Sequence, residues 1–426
     1  MIKKIITIVF IYIFLICFYF SSLMAVFSIP NKYIERNVNR SLERIERVGE
    51  YPRIALTIRS TLDHFTDKLM LQDTITMTND PMKNAMVPSY FRYWHGYQIF
   101  LRPLLVIMYE PEMWCFYAVM FIFLLYQCIK RIKKCLGIDC VACFIISLLA
   151  SYLWVAPFSL QYMNVYAIMV LASLLIFTVD ENKWYILFFI TGSFVNFMDL
   201  LTFPLLSCGL PLAIALVVEM HKEEYQLKLG LKTVIVNSIA WALGYGSTWI
   251  AKWVLAYKLL GPYVLSDVIS QSLFRIAGNS QYKLSYYNVF QDNLFVLLLV
   301  TPEVWMVLIL ICIIIMQIRR KPWKIKVITL YNKIKSARNY SIPLGLIAIM
   351  PVCWYLFFAN HSDIHEHFTF RIQAITIFAC MMMLDISYSA KLPGRLYYDK
   401  CISYWKRLGE TKKIVLGALV VLLIFV

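Results

Sequence analysis

Apolar stretches long enough to cross a bilayer recur along this chain, and few folds remain open to a sequence built that way. They fall at 5–26, 112–129, 139–156, 164–179, 184–198, 203–220, 233–257, 293–318, 341–359, 371–388 and 414–426. A bilayer core about 30 Å thick needs about 20 apolar residues in a helix, so the pattern predicts an all-α, polytopic membrane protein of about 11 transmembrane helices. At 61% hydrophobic and 15% charged residues, the composition rules out an ordinary soluble domain. We treat 1–426 as a single membrane domain. The first run follows Lys3 and Lys4, exceeds a signal-peptide core and lacks a small-residue cleavage site. It therefore reads as a retained helix, with the N-terminus in the cytoplasm of a multi-pass protein of the cell membrane.

The net charge is +16. Nucleic-acid binding would need a basic face on a soluble module, whereas here the cations sit between apolar runs, so no nucleic acid is expected. Arg319, Arg320, Lys321, Lys324, Lys326, Lys333, Lys335 and Arg338 fill 319–340 without an acid, and 129–135 and 389–413 are also basic. The positive-inside rule makes these three connections cytoplasmic. The connections 27–111, 157–163, 199–202, 258–292 and 360–370 then face outward, carrying most of the His, Asp and aromatic candidates. Eleven cysteines, an odd number, lie mostly in or beside apolar runs and none falls between 27 and 111. Neither a disulfide framework nor a Cys-type metal site is expected.

In the large first outer loop, Ile34, Val38, Leu42, Ile45 and Val48 keep helical spacing among Glu and Arg, and Gly49 to Pro52 end the pattern. This amphipathic helix suits a membrane surface, as a plain spacer or as a support for a lipid-linked substrate.

The stretch from Thr61 to Pro103 gathers the candidate chemistry. Asp63 and Asp67 stand at i and i+4, one helical face, where each carboxylate raises the other's pKa and one can act as a general base. They can equally be helix-start acids. His64, Arg92, His95 and Arg102 accompany them, with Tyr90, Phe91, Tyr93, Trp94 and Tyr97 interleaved. Cations suit a phosphate and aromatic faces suit a sugar, and the same residues also suit an interfacial aromatic belt. Asp199, in NFMDLLTFP, is either an intramembrane functional acid or a helix cap. Lys252, near the outer end of its run, can reach a phosphate or a lipid headgroup.

NHSDIHEHFTFR carries His361, His365, His367 and Arg371. The His361/His365 spacing fits zinc, but no HExxH pattern or cysteine accompanies it, so hydrogen bonding to sugar or phosphate is the preferred reading and no metal is assigned. Gly-rich phosphate loops are absent from the cytoplasmic side, which places any donor outside. No redox cofactor is implied, and a divalent metal is not indicated.

LDHFTDKLML, RYWHGYQIFLRPLL, FMDLLTFPLLSCGLP, WIAKWVLA and NHSDIHEHFTFR together resemble the multi-spanning bacterial glycosyltransferases of the GT-C type and the cell-surface polysaccharide membrane proteins near them. The resemblance implies a catalytic acid in a large first outer loop and a polyprenyl-phosphate sugar donor. It implies a cell-surface glycan as acceptor, within membrane lipid. Asp63 or Asp67 would then be the base, Arg92, Arg102, Lys252 and Arg371 would neutralise the leaving phosphate, and His64, His95, Asp199, His361 and His365 would bind substrate. A polysaccharide polymerase or ligase and a flippase of lipid-linked oligosaccharide are the alternatives.

Overall fold

The computed structural model describes residues 2–294 and 337–389, apart from Leu56, Met77 and 87–90. The expected spans 293–318 and 414–426, the basic connections 319–340 and 389–413, and Tyr90 lie outside the described residues, save for a few residues at their edges. Secondary structure among the described residues is helical, interrupted by two isolated β-bridges.

Among the described residues, four helices are long and apolar enough to cross a membrane: Lys4–Phe27, Leu227–Leu260, Arg338–Phe357 and Glu366–Ser387. Leu160–Leu175 and Leu206–Met220 are apolar but shorter. The first helix, α1 (Ile2–Phe27), turns Phe10 and Phe14 outward at 73% and 61% exposure, as a lipid-facing surface would. Its other face packs inward, where Tyr19 stacks on Phe197 with ring centroids 4.0 Å apart.

α2 (Glu35–Val48) is the amphipathic helix, and Gly49, at φ 98°, supplies the left-handed residue that ends it. The structure corrects its surroundings. Val38 and Ile45 are buried, and Asn37 donates to the Leu105 carbonyl, so protein rather than a bare membrane surface covers the apolar face. α3 (His64–Gln72), α4 (Pro81–Met86) and α5 (Gln98–Ile107) complete the first large loop.

A second correction concerns 129–135. The runs at 112–129 and 139–156 lie in the helical stretch α6 (Glu110–Ala150), which Gly137, at φ 88° and ψ 177°, divides into two helices, a backbone that suits a residue without Cβ. The basic connection expected there is helical, and Lys130, Arg131 and Lys134 project from its flank.

α7 (Leu160–Leu175), α8 (Trp184–Met198) and α9 (Leu206–Met220) follow, and every residue of α9 is buried. α10 (Leu227–Leu260) lies tightly against α8. A Cβ on Gly192 would strike the Trp241 carbonyl, and one on Gly244 would strike that of Phe189, so the backbones meet where small residues permit it. α11 (Tyr263–Ala277) and α12 (Tyr286–Asn293) come before the undescribed segment. After it come α13 (Arg338–Ala348), α14 (Met350–Phe357), α15 (Ala359–Ile364), α16 (Glu366–Thr369) and α17 (Gln373–Ser389).

Connections distant in sequence meet at one end of this bundle. Gly96 donates to the Phe197 carbonyl at 2.8 Å, Trp94 to that of Thr248 at 2.8 Å, and Arg371 to that of Arg59 at 3.3 Å.

Candidate functional site

Asp63 and Asp67 both belong to this end, but their surroundings make them unlike. Asp63 caps α3, accepting from the Thr66 backbone N–H at 3.0 Å and the Thr66 hydroxyl at 2.9 Å. Gln161, at the start of α7, donates its side-chain amide to Asp63 Oδ2 at 2.6 Å. His367 Nε2 lies 3.9 Å from the same oxygen. Burial would lift the Asp63 pKa, but His367 and the Thr66 bonds outweigh it and hold the carboxyl below its ordinary value. Asp67 is fully buried, and its Oδ1 accepts from Ser159 Oγ and the Gln161 backbone N–H, each at 3.3 Å. Burial, then the nearby Glu110 and Asp63, push its pKa well up.

His367 is held by its neighbours. Arg371 donates to its carbonyl at 2.6 Å while the guanidinium lies 4.4 Å from the Tyr162 ring centroid, and Tyr51 meets the imidazole edge to face at 5.7 Å. A row of imidazoles runs on from it. The His367 and His365 rings are 6.2 Å apart, and those of His365 and His361 4.7 Å.

Arg275 donates to His361 Nδ1 at 2.8 Å, which makes that nitrogen the acceptor. Nε2 must then carry the proton that it gives to the Leu201 carbonyl at 2.6 Å. Burial, first of all, keeps this ring neutral by pushing its pKa well down, and His365 falls to about 3 for the same leading reason. With both His361 nitrogens engaged, the His361/His365 pair has no ligand set for zinc.

A cleft of about 200 Å³ opens beside Arg275, lined by Arg92, Tyr93, Trp249, Trp253 and Phe358 among others. Arg92 pairs with Asp267 at 2.7 Å, and the Arg275 guanidinium lies 5.8 Å from the Tyr93 ring centroid. RYWHGY and NHSDIHEHFTFR thus meet through Arg275, although His95 itself faces elsewhere. Two cations between aromatic faces can take an anionic, ring-bearing ligand.

Several sequence candidates prove to be engaged within the fold. Arg102, expected at a phosphate, is buried and donates to the carbonyls of Val26, Ile29 and Thr74, tying the first loop to the end of α1. Lys252 is buried over Trp94 and donates to the Met86 carbonyl at 3.2 Å, so it reaches neither phosphate nor headgroup. His95, at φ 57°, turns to the Tyr97 hydroxyl at 2.7 Å and Asp73 at 3.5 Å. Asp199 accepts from the Thr202 N–H at 2.9 Å and its hydroxyl at 2.5 Å, the cap of a turn. His64 is buried, with Nδ1 3.2 Å from the Gly49 carbonyl. Gln161, Arg275, Arg44 and Glu110 carried no sequence signal of a site: Arg44 is one of several charges on α2, Glu110 one of two acids in the first turn of α6, and Gln161 and Arg275 stand in no motif.

Below this end, an apolar groove of about 670 Å³ runs between α5, α6, α7 and α8, from Ile99, Asn164 and Met198 to Lys130, Arg131 and Lys134. Its α7 wall, Met163 to Leu175, is about 18 Å long at 1.5 Å per residue.

No protein-family model, curated protein or solved structure matches this chain.

Proposed function

We propose that this chain is a membrane glycosyltransferase that modifies a cell-surface polysaccharide on the extracytoplasmic face, taking its sugar from a polyprenyl phosphate. The observation that carries this reading is the approach of His367 to Asp63, from opposite ends of the sequence, at the end of the bundle that also bears the Arg92/Arg275 cleft. An acid beside an imidazole can take a proton, and two arginines in an aromatic cleft suit a sugar phosphate. The apolar groove suits the polyprenyl tail.

In this reading an acceptor hydroxyl gives its proton to the Asp63–His367 pair, and its oxygen attacks the anomeric carbon. The bond from that carbon to the phosphate oxygen breaks, and polyprenyl phosphate leaves with the electron pair. Arg92 and Arg275 offset the charge that grows on the phosphate. Asp63 is favoured over Asp67 because His367 faces it, whereas Asp67 is enclosed against α6 and α7.

Purified protein in lipid vesicles, given polyprenyl-phosphate sugars and a glycan acceptor, tests the proposal. Transfer that Asp63→Asn and His367→Gln abolish supports it. Movement of lipid-linked oligosaccharide across the vesicle without transfer would select a flippase instead, and loss of glycan chain length in a deletion strain would select a polymerase.

A further inference from the structure

His64, Asp67 and Glu110 stand together behind the proposed site, all fully buried. His64 and Asp67 are one turn apart on α3, and Glu110 opens α6. One ligand atom from each lies within 4.8 Å of the others. The Gly49 carbonyl can only accept, so the neutral His64 ring places its proton on Nδ1, leaving the Nε2 lone pair outward. Asp67 Oδ1 is bound by Ser159 and Gln161 and Glu110 Oε2 by Arg44. What remains is His64 Nε2, Asp67 Oδ2 and Glu110 Oε1, three buried acceptors that no donor reaches with hydrogen-bond geometry, although the Trp114 indole N–H lies near enough to Glu110 to favour its ionised form.

Buried acceptors are normally satisfied. A proton shared by the two carboxylates would serve one pair of oxygens and leave the imidazole lone pair bare. A divalent cation accepts all three lone pairs and offsets both carboxylate charges. The outer contacts are those a ligand set needs: an imidazole oriented by a carbonyl on its far nitrogen, and carboxylates whose second oxygens are already held. Arg44, stacked over Trp114 at 3.9 Å, is the cation against Glu110, and it offsets one acid where two are present.

We propose that His64 Nε2, Asp67 Oδ2 and Glu110 Oε1 bind a divalent transition-metal cation, zinc or manganese by the mix of one nitrogen and two oxygens. The ion ties α3 to the first turn of α6. Asp67 and Asp63 share Gln161, so it also steadies the acid next to it. This assignment stands independently of glycosyl transfer.

Full-length protein in nanodiscs, stripped with chelator and then dialysed against zinc or manganese, gives the test by elemental analysis and thermal unfolding, with magnesium as control. Wild type is expected to retain about one ion per chain and to melt several degrees higher with it, while Glu110→Gln and Asp67→Asn retain none and show no rise. Cobalt in wild type should give the visible absorption of a nitrogen- and oxygen-ligated site, a readout that needs no variant to fold. Wild type that holds no ion, gives no cobalt spectrum and does not change its melting overturns the proposal. Glu110→Gln or Asp67→Asn more stable than wild type under all conditions would do the same and identify a shared proton.

Discussion

Gln161 donates its side-chain amide to Asp63 Oδ2 at 2.6 Å and, through its backbone N–H at 3.3 Å, also holds Asp67 Oδ1. One residue at the start of α7 thus fixes both carboxylates of LDHFTD, and their environments drive them apart. Asp63 is held ionised, while burial, Glu110 and Asp63 push Asp67 up. Paired acids separated in this way can take different roles.

Asp63→Asn keeps the cap geometry but removes the basic oxygen, so transfer should fall about a hundredfold to ten-thousandfold with folding retained. His367→Gln should match it, and the double variant should lose little more, because the two act as one unit. Gln161→Leu, which leaves Asp63 without its shortest bond, should lower transfer less than either. Rates on membranes with equal protein levels decide the order, and normal transfer in Asp63→Asn removes the pair from the mechanism.

Arg102→Ala leaves the Ile29 and Thr74 carbonyls without the donor they meet here and the Val26 carbonyl with only the Ile29 N–H, which should destabilise the fold by about 2 kcal/mol or more. Arg102→Lys, with one compact ammonium in place of a three-way fork, should recover only part of this. Thermal unfolding in detergent measures both, and a small effect from Arg102→Ala would return the residue to ligand binding.

Burial raises Asp199 from 3.8 to about 7 despite the Thr202 bonds. A folded pKa above the unfolded value means that the folded chain binds the extra proton, so this stabilising contribution is complete below about 3.8 and lost as pH rises to about 7. Stability should therefore fall across that window and level off above it. Asp199→Asn should flatten that part of the profile while keeping a cap. An unchanged slope in melting temperature against pH would count against Asp199 as its source.

Gly244→Ala puts a methyl group against the Phe189 carbonyl, forcing α8 and α10 apart at a cost of about 1 to 3 kcal/mol. Gly246→Ala, on the same helix with nothing near, serves as the control and should be close to neutral or slightly stabilising. Equal melting temperatures for the two variants would show that the close approach is not required.

Local patterns in the sequence were enough for the all-helical class and the amphipathic helix ending at Gly49, because hydropathy acts residue by residue along the chain. LDHFTD and NHSDIHEHFTFR were also visible, since several titratable groups lie close together in each. Their partners were not. Arg102 and Lys252 looked like phosphate ligands because an isolated cation carries no mark of the carbonyl it will meet, and both turn inward to backbone oxygens. The basic stretch 129–135, expected as a loop, is helical and the break falls after it at Gly137, because backbone geometry is something that charge counting does not weigh. His367 against Asp63, Arg275 between two segments, and Glu110 beside His64 and Asp67 depend on contacts between residues far apart in the chain. Only the packing of the helices decides which of those contacts form.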